Sequence, residues 1–346
     1  MSYSYLVTLK PQEPFFFGGE HTFGRDDSRK EGSRYSASST YFPQQSALLG
    51  MLRKTMLIQN NNLTMHIKGE WIDSKGSALQ NYTNALKHTG KDSFSYEQEV
   101  DLGIIENISP LFITKENKGY ITNAKDEGYT PKLIDSLSSL GTKGTQKTIV
   151  FEGLDPKAYI SQSFIAEDKT LLCYDDVFES ITTVGIKKAK DGVSNEDGFF
   201  QKSSYMLKDK AFFSFYITVS EALSWSDAYV TLGADQSSFL LTLTQTSSSF
   251  EEQFKNTFTP KSLDRVILNS ETLLTSTAYE SALFVLGKRS SYRQLKDKKG
   301  NKSKRYYLLE RGSVIYAQDL TQLTQALSQP HLQRVGINNF TTIKGN

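Results

Sequence analysis

Polar and apolar positions fall into a two-residue rhythm at the start of the chain. Tyr3, Tyr5, Val7 and Leu9 interleave with Ser4, Leu6, Thr8 and Lys10, which predicts a strand with an aromatic-rich face. Pro11 and Pro14 end it, and Phe15, Phe16 and Phe17 run into Gly18 and Gly19. From there to Thr40 the chain is rich in Gly, Ser, Asp and Arg with little to pack, so a long loop is expected. After Pro43 the period becomes helical: Leu48, Met51, Leu52 and Met56 share one stripe, and Asn60, Asn61 and Asn62 stop it. Strand, long loop and helix open a β-α-β unit.

The next stretch is less regular. Residues 63–110 read as an insertion with weak helical pattern, residues 111–122 as a short hairpin, and residues 123–147 as a loop before a strand at 148–151. Phe213, Phe215, Ile217 and Val219 alternate strongly and are read as the closing strand of a first domain. Beyond residue 220, short strands are expected at 229–232, 239–243, 265–268, 280–286 and 314–317. Leu320, Leu323 and Leu327 then form a helical stripe ending at Pro330, with a last strand at 334–340. Strand, helix, strand is the closing half of a β-α-β-β-α-β fold. The predicted class is α+β: two tandem ferredoxin-like (RRM-like) domains, residues 1–220 with large insertions and residues 221–346, plus a protruding β-hairpin thumb.

That hairpin is residues 181–205. Val184 and Ile186 lead into Lys187, Lys188 and Lys190, a polar tip carries two glycines, and Phe199 and Phe200 resume an apolar strand. A hairpin of this kind cannot bury its own apolar residues, so a partner is expected to cover part of it. It reads either as a solvated surface hairpin or as a finger laid along a nucleic-acid backbone.

Charge narrows the choice. Lys and Arg number 40 against 38 Asp and Glu, a net charge of +2, so no global field recruits nucleic acid and any such binding must be local. Aromatics make up 12% of the chain, enough for β packing and base stacking alike. The single cysteine, Cys173, rules out an internal disulfide framework or a cysteine metal cluster, and beside Leu171 and Leu172 it reads as a small core residue. No signal-like start or long apolar window is present, so a soluble, cytoplasmic protein is expected.

Catalytic patterns are weak. His21, His66, His88 and His331 fit no metal spacing, and phosphate-loop, dinucleotide and nucleophile-elbow motifs are missing. His21, beside Arg25, Asp26 and Asp27 in a glycine-bearing loop, is the one tempting general base. Binding is better supported, because phosphate needs cations and close backbone approach needs glycine. The loop 18–34 offers Gly18, Gly19, Arg25, Arg29, Lys30 and Arg34, with Phe17, Phe23 and Tyr35 as stacking candidates. The C-terminus offers Arg334, Gly336, Phe340 and Lys344. The ribonucleoprotein aromatic signature is absent, so the sheet faces are not expected to be the platform. The basic run 296–305 reads as a solvated loop, or as a contact for RNA or an acidic partner.

Taken in order, LKPQEPFFFGGEHTFG, YFPQQSALLGMLRKTML, the stretch 182–205, TLGADQSSF and LERGSVIYA resemble the RAMP superfamily of CRISPR antiviral effector subunits. Within it the resemblance is to the third-subunit family of type III-B Cmr complexes. Ala234 and Asp235 depart from that family's Gly-Glu, and its glycine-rich C-terminal loop is thin here, reading RVGINNFTTIKGN. The resemblance implies a ribonucleoprotein subunit with no catalysis, cofactor or metal. It would hold the 5′ tag of the crRNA, dock the large polymerase/cyclase-type subunit and set the register of the backbone subunits, with target RNA met indirectly. It implies RNA contacts from Phe17, Gly18, Gly19, His21, Arg25, Arg29, Arg34, Arg53 and Lys54. The thumb would add Ile186, Lys187, Lys188 and Lys190, and the C-terminus Arg334, Gly336, Asn338 and Lys344. Two alternatives stay open: an RNA-processing endonuclease using His21 and a nearby tyrosine, and the equivalent subunit of another type III subtype.

Overall fold

A computed structural model describes residues 1–18, 21–25, 33–60, 65–67, 70–72, 82–136, 146–155, 162–188, 194–233, 235–292, 305–317 and 319–346. The opening strand Tyr3–Pro11 is central to a 9-stranded sheet. It pairs antiparallel with Ala211–Val219 on one side and Ser237–Gln245 on the other. Phe112–Lys115 pairs beyond Ala211–Val219, and the hairpin partner Lys118–Thr122 follows it. With the opening strand as first, Phe112–Lys115 as second, Ala211–Val219 as third and Ser237–Gln245 as fourth, the order is 2-3-1-4, as in a ferredoxin-like fold. Helix Gln45–Gln59 supplies the first crossover and buries Leu48, Leu49, Leu52 and Met56 against the sheet. The second crossover carries the edge strand Asp227–Leu232 in place of a helix.

That pairing corrects the domain boundary. Strands 227–232 and 237–245 lie beyond residue 220, yet backbone hydrogen bonds fasten them to this first sheet. The complete second unit is instead Arg265–Leu268, helix Ser276–Glu280, Ala282–Leu286, Val314–Ala317, helix Leu320–Leu327 and Phe340–Ile343. Its sheet order is again 2-3-1-4, all antiparallel. Asp319 starts the longer helix by accepting from the Thr321 and Gln322 amides at 2.8 and 3.1 Å. The last strand is later than its sequence suggested, because Pro330 begins a second short helix, Pro330–Gln333, instead of a strand.

Strands 265–268 and 314–317 are buried at every position, which is why they show no polar alternation. Val266, Leu268 and Ile315 meet Leu323 and Leu327 on one face. Ile267, Val314 and Tyr316 meet Phe112, Phe151 and Phe254 on the other, so the two units share apolar contacts.

Two regions read as loops are sheet. Thr130–Ser136 pairs with Gln146–Glu152 in a two-stranded arm. The supposedly unstructured stretch after Gly18 contributes strands His21–Arg25 and Ser33–Ser38. Those strands extend the thumb: Phe178–Lys188, Ser194–Leu207, Ser33–Ser38 and His21–Arg25 form one 4-stranded sheet, in that order. The hairpin is thus a broad finger, rooted where the Phe15 and Tyr205 backbones exchange hydrogen bonds of 2.7 and 3.1 Å. Cys173 is exposed on the edge strand Leu171–Cys173, because Leu172 between it and Leu171 is the side chain that turns to the core and the other two turn outward. No helix among the described residues is long and apolar enough to cross a membrane.

Candidate nucleic-acid interface

The end of the opening strand, the start of the first helix and the second unit enclose a cleft of about 1140 Å³. The chain enters it as Phe17 and Gly18, returns as residues 38–44, and meets Gly233 at the turn between strands 227–232 and 237–245. Gly233 is required there: its φ is +92°, and a Cβ would lie 3.1 Å from the Phe17 ring and closer still to the Phe16 carbonyl oxygen. The glycine turn therefore seats the Phe-Gly loop.

Helix Gln45–Gln59 opens on this space. Its first turn holds no acidic residue and its N-cap, Gln44, makes no side-chain cap, so nothing within the helix's own first turn offsets its positive end. The opposite wall is the hairpin Arg289–Tyr292 with Tyr306–Leu309. There the Arg289 guanidinium stands 4.7 Å over the Tyr307 ring, which is 46% exposed. Tyr41, Phe42, Tyr96 and Tyr292 add further rings. Tyr41 stacks on Tyr205 at 4.4 Å, fixing the finger root to the cleft wall. Its hydroxyl is pushed well above the ordinary tyrosine range, first by burial and then by its hydrogen bond to Tyr205.

Arg311 joins the two units beneath the cleft. It is 6% exposed, donates to the Leu111 carbonyl at 3.0 Å and to Glu271 at 3.2 Å, and lies 4.1 Å over the Phe42 ring. Lys288 stays mostly exposed, with Glu310 at 4.0 Å. Flat rings, two accessible cations and an open helix start together suit unpaired bases and their phosphates. No group of three or more metal-ligating side chains occurs among the described residues.

Of the residues singled out in the sequence, the cleft gathers Phe17 and Gly18. His21, Arg25, Arg34, Ile186, Lys187 and Lys188 are placed by backbone on the finger sheet. Gly19, Arg29 and Lys190 lie outside the described residues, as do residues 296–304 of the basic run. Four others have structural duties. Arg53 donates to the Asp92 and Asp101 carbonyls at 2.8 and 2.7 Å, clamping the insertion onto the helix. Arg334 binds the Glu106 carbonyl at 3.2 Å and Glu99 at 2.8 Å. Gly336 packs on Ser109 and Gln45. Asn338, fully buried with φ +56°, bonds the Leu273 amide at 2.7 Å and the Leu327 carbonyl at 3.1 Å. An RNA strand has no access to that amide. Lys54 reaches Thr231 at 3.3 Å, and Lys344 is exposed at the end of the last strand.

Tyr41, Phe42, Lys288, Arg289, Tyr292, Tyr307 and Arg311 escaped the sequence reading. The available signal was the pair RSSY and RYYLL flanking the basic run, where cations and tyrosines are interleaved at strand spacing.

No known protein family matches the sequence, and no curated protein is similar to it. Among solved structures, the chain is similar to one in a cryo-EM structure of the type III-B Cmr-beta bound to cognate target RNA and AMPPnP. The TM-score is 0.52 at 12% identity, over 97% of this chain and 96% of that one. A second likeness is to a chain of the type III-B Cmr-beta bound to cognate target RNA, with TM-score 0.53, 11% identity and the same coverage. At such identity the likeness is one of fold, end to end.

Proposed function

We propose that this chain is an RNA-binding subunit of a type III CRISPR effector complex, corresponding to the third subunit of type III-B Cmr. It holds the 5′ tag of the crRNA in the cleft between its two ferredoxin-like units. It docks the large polymerase/cyclase-type subunit, sets the register of the backbone subunits, and cleaves nothing itself. The observation that carries this reading is the cleft: exposed Tyr307 under Arg289 faces an uncapped helix start across a space of about 1140 Å³. Stacking rings and cations hold single-stranded RNA without needing a catalytic group. The full-length fold likeness to chains of RNA-bound Cmr-beta structures supports the same choice.

The test is binding of tag RNA to the purified chain, and guide loading of the assembled complex. Lys288→Glu with Arg289→Glu is expected to weaken both, while wild type shows a shallow salt dependence, a log–log slope of about −1 to −3 for a few phosphates. Unchanged loading by that double variant overturns the assignment of the cleft. Metal-independent cleavage of repeat RNA that disappears in His21→Ala overturns the non-catalytic role.

A further inference from the structure

The nine-stranded sheet has two faces, and only one is closed along its length. Helix Gln45–Gln59 lies on the face that carries Val7, Leu9 and Phe213. Over part of the other face the chain supplies a cover of its own. Phe250 and Phe254, in and just after the short helix Phe250–Gln253, sit 6.1 and 5.2 Å from the Phe112 ring, and Gln253 accepts from the Tyr216 hydroxyl at 2.8 Å. One row lies beyond that cover. Tyr229 on the edge strand stands opposite Leu240, Leu240 opposite Lys10, and Phe212, beside Leu9's partner Phe213, continues the row on the next strand. Strand alternation turns all four away from the core. None of the three apolar residues belongs to a core cluster among the described residues. Tyr229 is 75% exposed, against 46% for Tyr307 in the cleft.

Lys10 stands within this row, and among the described residues no hydrogen bond or ion pair engages its ammonium group. The carboxylates beside the row are occupied. Asp227 accepts from the Ser226 and Thr242 hydroxyls, both at 2.8 Å, and Glu13 accepts from the Ser238 amide at 2.8 Å. The adjoining pair on the same face, Thr8 and Thr242, is uncharged. The outer edge of strand Asp227–Leu232 is guarded, because Lys54 comes round it from the core-side helix to the Thr231 hydroxyl at 3.3 Å. A lysine at a sheet edge discourages strand addition, so the face is the surface left open.

We propose that the row Tyr229, Leu240, Lys10 and Phe212 is a docking surface for an amphipathic helix of a partner protein, one that sets a carboxylate among its apolar side chains to meet Lys10. A helix is what this face already takes from its own chain, and helices commonly bury the apolar faces of sheets. The row crosses the strand spacings between Asp227–Leu232 and Ala211–Val219, about 14 Å in all, which about nine helical residues would span. RNA fits poorly: a single cation cannot serve successive phosphates, and Leu240 offers no ring for a base to stack on. None of the four residues lines the cleft. The surface goes beyond the RNA-binding reading, which enters only in the choice of complex to purify.

The experiment places the photo-crosslinking residue p-benzoylphenylalanine at position 229 of a tagged full-length chain. The complex purified through the tag is irradiated and the crosslinked peptide sequenced. A protein segment with Asp or Glu within one helical turn of the crosslink is expected. A synthetic peptide of that segment is then titrated against the full-length protein, and it is expected to gain helix by circular dichroism as it binds. Tyr229→Ala and Lys10→Glu should each weaken it by about 5- to 30-fold, the range of an interface hot spot, with Tm unchanged because neither side chain packs on the core. Changing the peptide's carboxylate to lysine should restore binding to Lys10→Glu. A crosslink to RNA, no crosslink, a segment without Asp or Glu, binding without gain of helix, or wild-type peptide affinity in Lys10→Glu overturns the docking surface. Tag-RNA binding by the purified chain is expected to be unchanged in Tyr229→Ala and Lys10→Glu; its loss there also counts against a protein partner. If Lys288→Glu with Arg289→Glu alone weakens RNA binding, the cleft stands whatever the fate of this surface.

Discussion

Replacing Arg311 with methionine tests how the cleft is held open. The side chain keeps its length and its apolar contact with Phe42, but the guanidinium disappears. The Leu111 carbonyl, on a residue only 2% exposed, then loses its donor at 3.0 Å. An orphaned buried acceptor costs about 1–3 kcal/mol. Glu271 loses its cation at 3.2 Å, but its side chain is 20% exposed and water recovers part of that, leaving about 1 kcal/mol. Losing the cation from above Phe42 adds about 0.5–1 kcal/mol, so the sum is about 4 kcal/mol. The two units melt together, because Tyr306, Leu308, Leu332, Val335 and Ile337 belong to the same core as Val7 and Leu52. With about 2.1 cal/mol/K per residue, the 346 residues unfold with an entropy of about 0.7 kcal/mol/K, and the expected fall in Tm is about 5 °C. Calorimetry measures it directly. Adding Glu271→Gln should recover part of the loss, since it removes the stranded charge while Leu111 stays orphaned. A fall below about 1 °C, or no recovery in the double variant, refutes the claim that this arginine joins the units.

Further predictions concern other parts of the molecule. Asp126 and Arg265 are both fully buried and paired, with Tyr316 donating to the same carboxylate; Asp126→Asn leaves Arg265 unpaired and should cost about 3–5 kcal/mol in urea unfolding, a loss below about 1 kcal/mol counting against it. Gly336 has φ +77°, and a Cβ would lie 2.6 Å from the Ser109 carbonyl oxygen and displace the Gln45 amide bonded to it at 2.8 Å. Gly336→Ala is therefore expected to cost about 2–4 kcal/mol by the same measurement, and a neutral result would show that the joint yields. Tyr41, Tyr96, Tyr174 and Tyr316 are all pushed well above the ordinary value of 10.0, each chiefly by burial. In the unfolded chain they ionise first, so stability is full below about pH 10 and declines as pH rises beyond it. Ultraviolet titration should show a tyrosinate step coinciding with unfolding; ionisation of every tyrosine in the native state contradicts this.

Local pattern was enough for several elements. The alternation at Tyr3–Leu9 and Phe213–Val219 specifies strands half-exposed to a core, and the stripe Leu48, Met51, Leu52 and Met56 specifies a helix on it. The closing strand–helix–strand and the strands on either side of Gly233 were visible for the same reason: each is fixed by a few adjacent residues. Signals failed where burial or pairing comes from far away. Residues 21–38 look structureless because their strands are completed by Ser194–Leu207, more than a hundred positions later. The boundary at 220 looked natural because nothing in residues 227–245 announces that their partner is the opening strand.

The site divides the same way. Phe17 and Gly18, which line the cleft, could be named from the sequence, because ring and glycine sit side by side there. Arg53, Arg334 and Asn338 looked equally suited to RNA, and only the folded chain shows them bonded to backbone atoms and, for Arg334, also to the Glu99 carboxylate. Composition and periodicity determined an α+β chain with two ferredoxin-like halves and a finger. Tertiary structure decided the rest: which cations stay free, and that Tyr41, Arg289, Tyr307 and Arg311, spread over some 270 positions from 41 to 311, meet around one cleft. Sequence fixes what each residue can do nearby, whereas availability to a ligand depends on which partners folding brings first.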